Sequence, residues 1–269
     1  MANEISPCQA IISLLKDPQN GDLIIAGDIN QGIYQNAAFT WSELGIKARG
    51  RTYYLRSNYR NTKEILKVAA PFSVFDKLTN DDDRVGIVPV NPEMSIRTGP
   101  KPYVYRCKDR AAECDLALKL VKHMLNPKEG TYFSKHPINP HDIGILYPLA
   151  TKELKGYLKK IEEDVNSFSA ALWVNDDTKK EKSHDLKTKS SVKISTISSA
   201  KGLDFRAVIL LFSDQRDFDD ELDDDRTLLY VGLTRARDYL WILYSQMSDL
   251  IPPLYEMSEN IVAKEYPQR

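Results

Sequence analysis

Four short stretches of this sequence set acids, amides, hydroxyls, arginines and aromatic rings where a strand gives way to a turn or a helix. In an α/β protein such a junction is where the charged atoms of a ligand are met. The first stretch, GDINQGIY at residues 27–34, closes the apolar run LIIAGD with Asp28, Gln31 and Tyr34. In the second, LRSNYRNTKEIL, Arg56 and Arg60 bracket Asn58 and Tyr59 at the start of a helix. There a guanidinium forks onto a phosphate while a neighbouring ring stacks on a base. The third, ISTISSAKGLDF, supplies hydroxyls at Thr196, Ser198 and Ser199, a cation at Lys201, a turn at Gly202 and an acceptor at Asp204. Small donors of that density between two strands can hold a phosphodiester backbone. The fourth, LLYVGLTRARDYLWI, ends an apolar helical stripe of Leu228, Leu229 and Leu233 in Thr234, Arg235 and Arg237. One of its arginines can serve as a finger that stabilises charge on a transferring phosphoryl group. Each stretch also reads as ordinary structure: turn residues in the first, a solvated arginine beside a packed tyrosine in the second, a serine-rich turn in the third, and arginines facing a helix dipole in the fourth.

The elements that must position these residues alternate. SPCQAIISLLKDPQNGD reads as a capped helix followed by the strand LIIAGD, RTYYLRSNYR as a strand and NTKEILKVAAPF as a helix. Residues 76–101, rich in Asp, Pro, Asn and Gly, read as a surface loop with one short strand, VGIVPV. Strand KPYVYRC, helix DRAAECDLALKLVKHML, strand DIGILYP and helix TKELKGYLKKIEED then follow in order. That alternation is the pattern of a parallel sheet with crossover helices. A lysine-rich loop, DDTKKEKSHDLKTKS, precedes strands SVKISTI and FRAVILLF. The acidic run DQRDFDDELDDD leads into helix DRTLLYVGLTRARD and a final strand, YLWILYS. The pattern predicts a doubly wound α/β domain from residue 51 to 269, preceded in residues 1–50 by a helix and strand that read as the tail of another domain.

Composition narrows the function classes. The 269 residues are 42% hydrophobic and 28% charged, as in an ordinary globular protein. A net charge of −1 gives no global basic excess, so binding of nucleic acid would need a local basic groove. Cys8, Cys107 and Cys114 form no CxxC and no disulfide framework, which points to a reducing, cytoplasmic setting. No apolar run approaches the length of a membrane span, so no membrane partner is expected. No cluster with metal-ligand spacing stands out.

Taken together and in order, the four stretches carry a resemblance that none carries alone. GDxNQxIY, LxxNYRxT, TxxxAKGLDF and LLYVGLTRA are similar to the succession of late motifs in UvrD/Rep-type superfamily 1 helicases, and the likeness runs from the helix before residue 23 to the strand after Arg237. The resemblance implies a RecA-like parallel sheet of the P-loop NTPase superfamily, with the first domain incomplete. It implies roles in ATP hydrolysis for Gln31, Arg60 and Arg235: Gln31 sensing the γ-phosphate and the attacking water, Arg60 on the γ-phosphate, Arg235 as the finger. Tyr59 is similar to the ring that stacks on adenine, with Gly202 beside the nucleotide and Asp204 near the ribose. Tyr34, Thr196 and Ser198 resemble contacts to single-stranded DNA. The family often has a Trp where this chain has Asn36, and Phe39 and Trp41 are the rings that can stack a base in its place. A histidine common in the family is Ser198 here. The stretch from 165 to 192 is far shorter than the inserted subdomain of UvrD and Rep.

The phosphate cradle of the family is not in this sequence. No GxxxxGK[ST] occurs, and no D-E-x-Q segment precedes Gln31. GIKARGRT, residues 45–52, has the glycine spacing but Arg51 in place of Lys, and it leads into a strand rather than a helix. By the resemblance, the main residues for ATP and Mg2+ belong to a missing N-terminal helicase domain, and this chain alone is expected not to hydrolyse ATP. The expected function is the C-terminal part of an ATP-dependent DNA helicase or translocase acting on single-stranded DNA. The alternative is a non-catalytic nucleic-acid or protein-binding module that retains the fold.

Overall fold

In the computed structural model the described residues are 57–73, 91–149, 151–174, 190–214, 222–256 and 258–267. The expectations for residues 1–56, the strand VGIVPV and the lysine-rich loop lie outside them, as do Asp28, Gln31, Tyr34, Phe39, Trp41 and Arg56.

Seven strands form one parallel sheet: β1 Tyr103–Cys107, β2 Ile143–Tyr147, β3 Ala171–Trp173, β4 Val192–Thr196, β5 Phe205–Leu210, β6 Ala236–Tyr244 and β7 Val262–Tyr266. They lie in the order β3-β4-β2-β5-β6-β1-β7. Side chains alternate between the two faces, so one strand feeds two cores. Leu146, Val208, Leu210, Leu240, Ile242 and Tyr244 pack on one face. Ile145, Tyr147, Ala207, Ile209, Trp241 and Leu243 pack on the other. Covering both faces is what a parallel sheet requires, and it is why IGILY and FRAVIL read as near-continuous apolar runs.

Among the described residues six α-helices flank the sheet: α1 Lys63–Ala69, α2 Arg110–Leu125, α3 Tyr132–Lys135, α4 Lys152–Asn166, α5 Leu222–Leu233 and α6 Pro252–Glu256. Their starts follow from local chemistry. Asp109 accepts a hydrogen bond from the Ala112 amide at 2.8 Å, and Thr151 from the Leu154 amide at 3.3 Å, which satisfies donors that the first turn leaves orphaned. Along α4, Leu154, Leu158, Ile161 and Val165 fall at helical spacing and are all buried. Each such burial contributes about 1.5–3 kcal/mol. Helices α2 and α4 cover one face and α1, α5 and α6 the other, giving the doubly wound, RecA-like sheet that the sequence predicts.

One helix boundary and two strands stand out as different from the sequence reading. The helix expected through Asp238 ends at Leu233, and β6 begins at Ala236. The Phe205 amide donates to the Arg235 carbonyl at 2.9 Å, so pairing with β5 takes the chain over before another helical turn can form. Strand β3 was missed because three half-buried residues carry too little pattern. Strand β7 was missed although VAKEY alternates; it lies at the sheet edge, paired among the described strands with β1 alone.

At the carboxyl edge a buried ion cluster joins β1, β5 and β6. Glu113, fully buried in the first turn of α2, accepts from the Phe212 amide at 2.8 Å, Ser245 Oγ at 2.7 Å and Arg110 Nη1 at 2.9 Å. Arg110 also pairs with Asp214, which accepts from the Gln246 amide at 2.6 Å. Burial, helped by the nearby Asp214, pushes Glu113 up to about 7 against the donors that favour its charge. Cys107 and Cys114 are buried and free, and burial raises both thiols, Cys114 to about 12, which keeps them poor nucleophiles.

A carboxyl group whose folded value lies above its ordinary 4.5 binds more protons in the native state. Its contribution, on the order of 3 kcal/mol, is complete below pH 4.5 and is lost as pH rises through about 7. Urea melts between pH 4 and 8 should show this fall in the native protein, and the fall should be missing from Glu113→Gln, whose absolute stability is lower because one acceptor oxygen is gone. A profile that E113Q leaves unchanged would assign the titration elsewhere.

Candidate functional site

The amino edge of the sheet gathers the second stretch, the end of the third and the end of the fourth. Asn58 opens the arrangement. Its Oδ1 accepts the amides of Arg60 and Asn61, both at 2.9 Å, which folds residues 58–61 into a tight turn. Asn61 is 2% exposed, and its Nδ2 donates to the carbonyls of Thr234 at 2.9 Å and Ala236 at 2.6 Å. Thr62 then caps α1, accepting the Ile65 amide at 3.4 Å. One asparagine thus fastens the turn that carries Tyr59 and Arg60 to the junction of α5 and β6.

With the backbone held, the two preceding side chains stand out. Tyr59 is 68% exposed, although large aromatic rings are usually at least half covered, and Arg60 is exposed beside it. Met94 and Ile96 are also exposed, and they flank Ser95, which forms a backbone bridge with Asn58. Arg237 follows at the start of β6, its Nη1 3.4 Å from Asp204 Oδ2. Gly202, at φ +86, makes the turn that delivers Asp204 to β5. Arg97, Asp238 and Arg206 complete the cluster: Arg97 pairs with Asp238, and Arg206 Nε donates to the same carboxylate at 3.0 Å.

Arg235 is placed differently from Arg60. It is fully buried, with Nε donating to the Val231 carbonyl at 3.1 Å and Nη1 to the Leu203 carbonyl at 3.0 Å. This guanidinium closes the last turn of α5 and ties it to the third stretch, which is the capping chemistry that an arginine at a helix end offers.

Thr196 and Ser198 lie elsewhere. Thr196 is the last residue of β4, at the carboxyl edge, and its Oγ1 accepts the Ser199 amide at 3.1 Å. Ser198 is half-buried in the turn that follows. Because the strands are parallel, the eight residues from Ile197 to Asp204 must run from one edge of the sheet to the other, and Ile197 and Ala200 are buried against it on the way. The structure therefore brings Tyr59, Arg60, Gly202, Asp204 and Arg235 to one edge and leaves Thr196 and Ser198 nearer the other. Among the described residues no group of His, Cys, Asp and Glu could hold a metal ion.

Sequence reasoning missed Asn61, Arg97, Arg206 and Asp238. Asn61 had a signal: it follows NYR directly, and an amide just before a helix cap is common. Arg97 had none, since it lies in the Pro- and Asn-rich segment read as a surface loop. In the structure the described part of that segment, residues 91–101, is tied down: the Lys63 amide donates to the Arg97 carbonyl at 2.8 Å and the Gly99 amide to Glu64 at 2.7 Å.

Tyr59 and Arg60 thus stand exposed along one edge of a doubly wound, RecA-like parallel sheet. Residues 146–247 match the family model of the UvrD-like helicase C-terminal domain. A probable DNA helicase II homolog of Rickettsia conorii is 35% identical over 89 residues, 29% of this chain and 12% of that protein. The mitochondrial ATP-dependent DNA helicase HMI1 of Saccharomyces cerevisiae is 38% identical over 73 residues, 27% of this chain and 10% of its own length. The match thus spans about an eighth of the curated relatives or less. Among solved structures, the C-terminal domain of a possible DNA helicase from Lactobacillus plantarum aligns over 77% of this chain and 99% of that one, at 16% identity and a TM-score of 0.46. Among the described residues no helix is long and apolar enough to cross a membrane.

The anchoring role of Asn61 is directly testable. Asn61→Ala should cost about 2–4 kcal/mol in denaturant unfolding, because it leaves two buried carbonyls without a donor. Asn61→Asp should cost more, since it sets a carboxylate against those carbonyls. An aspartate variant as stable as the native protein would remove the amide from its structural role.

Proposed function

We propose that this chain supplies one side of the ATP cleft and part of the single-stranded DNA groove of an ATP-dependent DNA helicase or translocase. The observation that carries this reading is the exposed pair of Tyr59 and Arg60, held on a buried asparagine anchor beside Arg237 and Asp204. A ring left uncovered next to a guanidinium suits a base and its phosphates. The domain match and the helicase relatives support the same reading.

The residues fit a nucleoside triphosphate with magnesium that is bound mainly by another RecA-like domain. That group supplies the labile phosphoryl bond and its counter-charge. On this side of the cleft, Tyr59 stacks on the base, Asp204 accepts from the ribose with Gly202 giving it room, and Arg60 neutralises the terminal phosphate. Gln31 orients the attacking water. Arg235 acts as a second phosphate arginine once its guanidinium leaves the Val231 and Leu203 carbonyls, which makes its engagement dependent on closure of the cleft. Thr196 and Ser198, toward the opposite edge, contact the phosphodiester backbone together with Tyr34, Phe39 and Trp41. A reducing, cytoplasmic setting suits the two buried free thiols.

Two substitutions in the intact protein test the reading through DNA-stimulated ATP hydrolysis. Tyr59→Ala removes a contact made equally in ground and transition states, so KM for ATP should rise about tenfold with kcat nearly kept, whereas Arg60→Ala should lower kcat about 100-fold or more. Unchanged turnover in both, with DNA binding intact, would leave the protein a binding module that retains the fold.

A further inference from the structure

Arg97 lies outside residues 146–247, on the segment between α1 and β1, and none of the four stretches includes it. Its guanidinium nevertheless meets the backbone of both Arg60 and Arg237 at the amino edge. Nη1 donates to the carbonyl of Arg60 and, at 3.4 Å, to the carbonyl of Arg237, while Nη2 pairs with Asp238. The fork is itself held in place. Asp238 is kept in position by Arg206 Nε at 3.0 Å, and Arg206 Nη1 reaches the Pro137 carbonyl at 3.0 Å. The Ser95 hydroxyl, two residues before Arg97, donates to the Asn61 carbonyl at 2.8 Å and fixes the segment from which the side chain emerges.

These contacts are not needed to start α1 or to fasten it. Thr62 caps the helix and Asn61 anchors it to Thr234 and Ala236. What Arg97 adds is control over the peptide that leaves Arg60. The Asn58 side chain takes the Arg60 amide on one side, and Arg97 takes its carbonyl on the other. With both ends of the residue held, the direction in which its side chain leaves the backbone is set. The planar guanidinium can serve a carbonyl and a carboxylate at once, which an ammonium group cannot do in a fixed geometry.

We propose that Arg97 is a positioning residue that aims Arg60 at the phosphate and locks it to the first residues of β6, through the Arg60 carbonyl, the Arg237 carbonyl and Asp238. The proposal rests on the reading of Arg60 as a phosphate-binding arginine. It assigns to the segment before β1 a part in turnover rather than in folding alone. Displacement of an aimed group by about 1 Å is enough to lower a rate about 100-fold.

The test is a cycle in the intact protein, with kcat and KM for ATP measured in the presence of single-stranded DNA, and a thermal midpoint taken for each variant. Arg97→Met should lower kcat about 10- to 100-fold while KM changes far less. The double variant Arg97→Met, Arg60→Ala should be no slower than Arg60→Ala alone, because a group that acts through Arg60 has nothing left to aim. Arg97→Lys keeps the charge and the stem but not the fork, so it should show a smaller loss that also vanishes in the Arg60→Ala background, and it decides the matter if Arg97→Met fails to fold. Normal kcat in Arg97→Lys and Arg97→Met, or losses that multiply in the double variants, would overturn the positioning role while leaving Arg60 in place. Normal turnover in Arg60→Ala would overturn the reading of Arg60, and the proposal with it.

Discussion

The amino edge of this domain depends on one buried amide. Asn61 donates to the carbonyls of Thr234 and Ala236, two acceptors at the point where α5 stops and β6 begins. Without a donor from elsewhere those carbonyls would be left unpaired in the interior, because Thr234 ends the helix and Arg235 turns its own carbonyl toward β5. The Thr234 hydroxyl donates back to Tyr230 at 2.9 Å and Val231 at 3.1 Å, which closes the last turn and stops the helix from propagating into TRARD. The anchor therefore does two things at once. It satisfies the helix-to-strand junction, and it fixes, one and two residues away, the exposed Arg60 and Tyr59.

The parallel sheet imposes the second constraint. Every strand presents its amino end to one edge, so residues that follow a strand and residues that precede one cannot share an edge unless a connection crosses the sheet. The stretch from Thr196 to Asp204 is such a connection, with its first hydroxyl at the end of β4 and its acid at the start of β5. A single short motif can in this way touch two ligands on opposite edges. Ile197 and Ala200, buried between them, make the crossing rigid rather than a loose loop. Gly232 of α5 comes close to that crossing, and a Cβ there would lie 2.8 Å from Ile197 Cδ1. The helix of the fourth stretch and the turn of the third are thus packed too closely to move independently.

Much of this was legible in the sequence, and the reasons for what was not are physical. Strands β1, β2, β4 and β5 and helices α2 and α4 announce themselves by period and cap, because burial of one face dictates the residue pattern. The resemblance assigns Tyr59, Arg60 and Asp204 to one ligand, and in the structure the three lie on one edge of the sheet. The burial of Arg235 was not legible, since an arginine facing a carbonyl and an arginine facing solvent have the same letter and the same neighbours. Nor was Arg97, whose partners lie 37, 140 and 141 positions away. Long-range side-chain contacts leave no periodic trace, and a segment rich in Pro and Asn looks the same whether it is tied down or free. The end of α5 was misplaced for a related reason: the pairing of Phe205 with Ala236 is decided by the sheet, not by the helix propensity of TRARD.

The charge distribution carries the argument one step further. The chain as a whole has a net charge of −1, yet among the described residues the amino edge gathers Arg60, Arg97, Arg206 and Arg237, of which the last three pair with two carboxylates, Asp204 and Asp238. A local excess of guanidinium groups beside an exposed ring is the charge pattern that an anion site needs, and screening over about 8 Å at physiological salt would keep its field local. Arg235 is part of the same edge but spends its donors on Val231 and Leu203. Drawing it out would leave those carbonyls to find other partners, at about 1–3 kcal/mol each. A charge-assisted, bidentate contact to phosphate is strong enough to offset that cost, whereas water is not. An arginine that is stable in its buried place until a phosphate arrives would make the exposed Arg60 the first contact and Arg235 the second, and closure of the cleft would then follow binding rather than precede it.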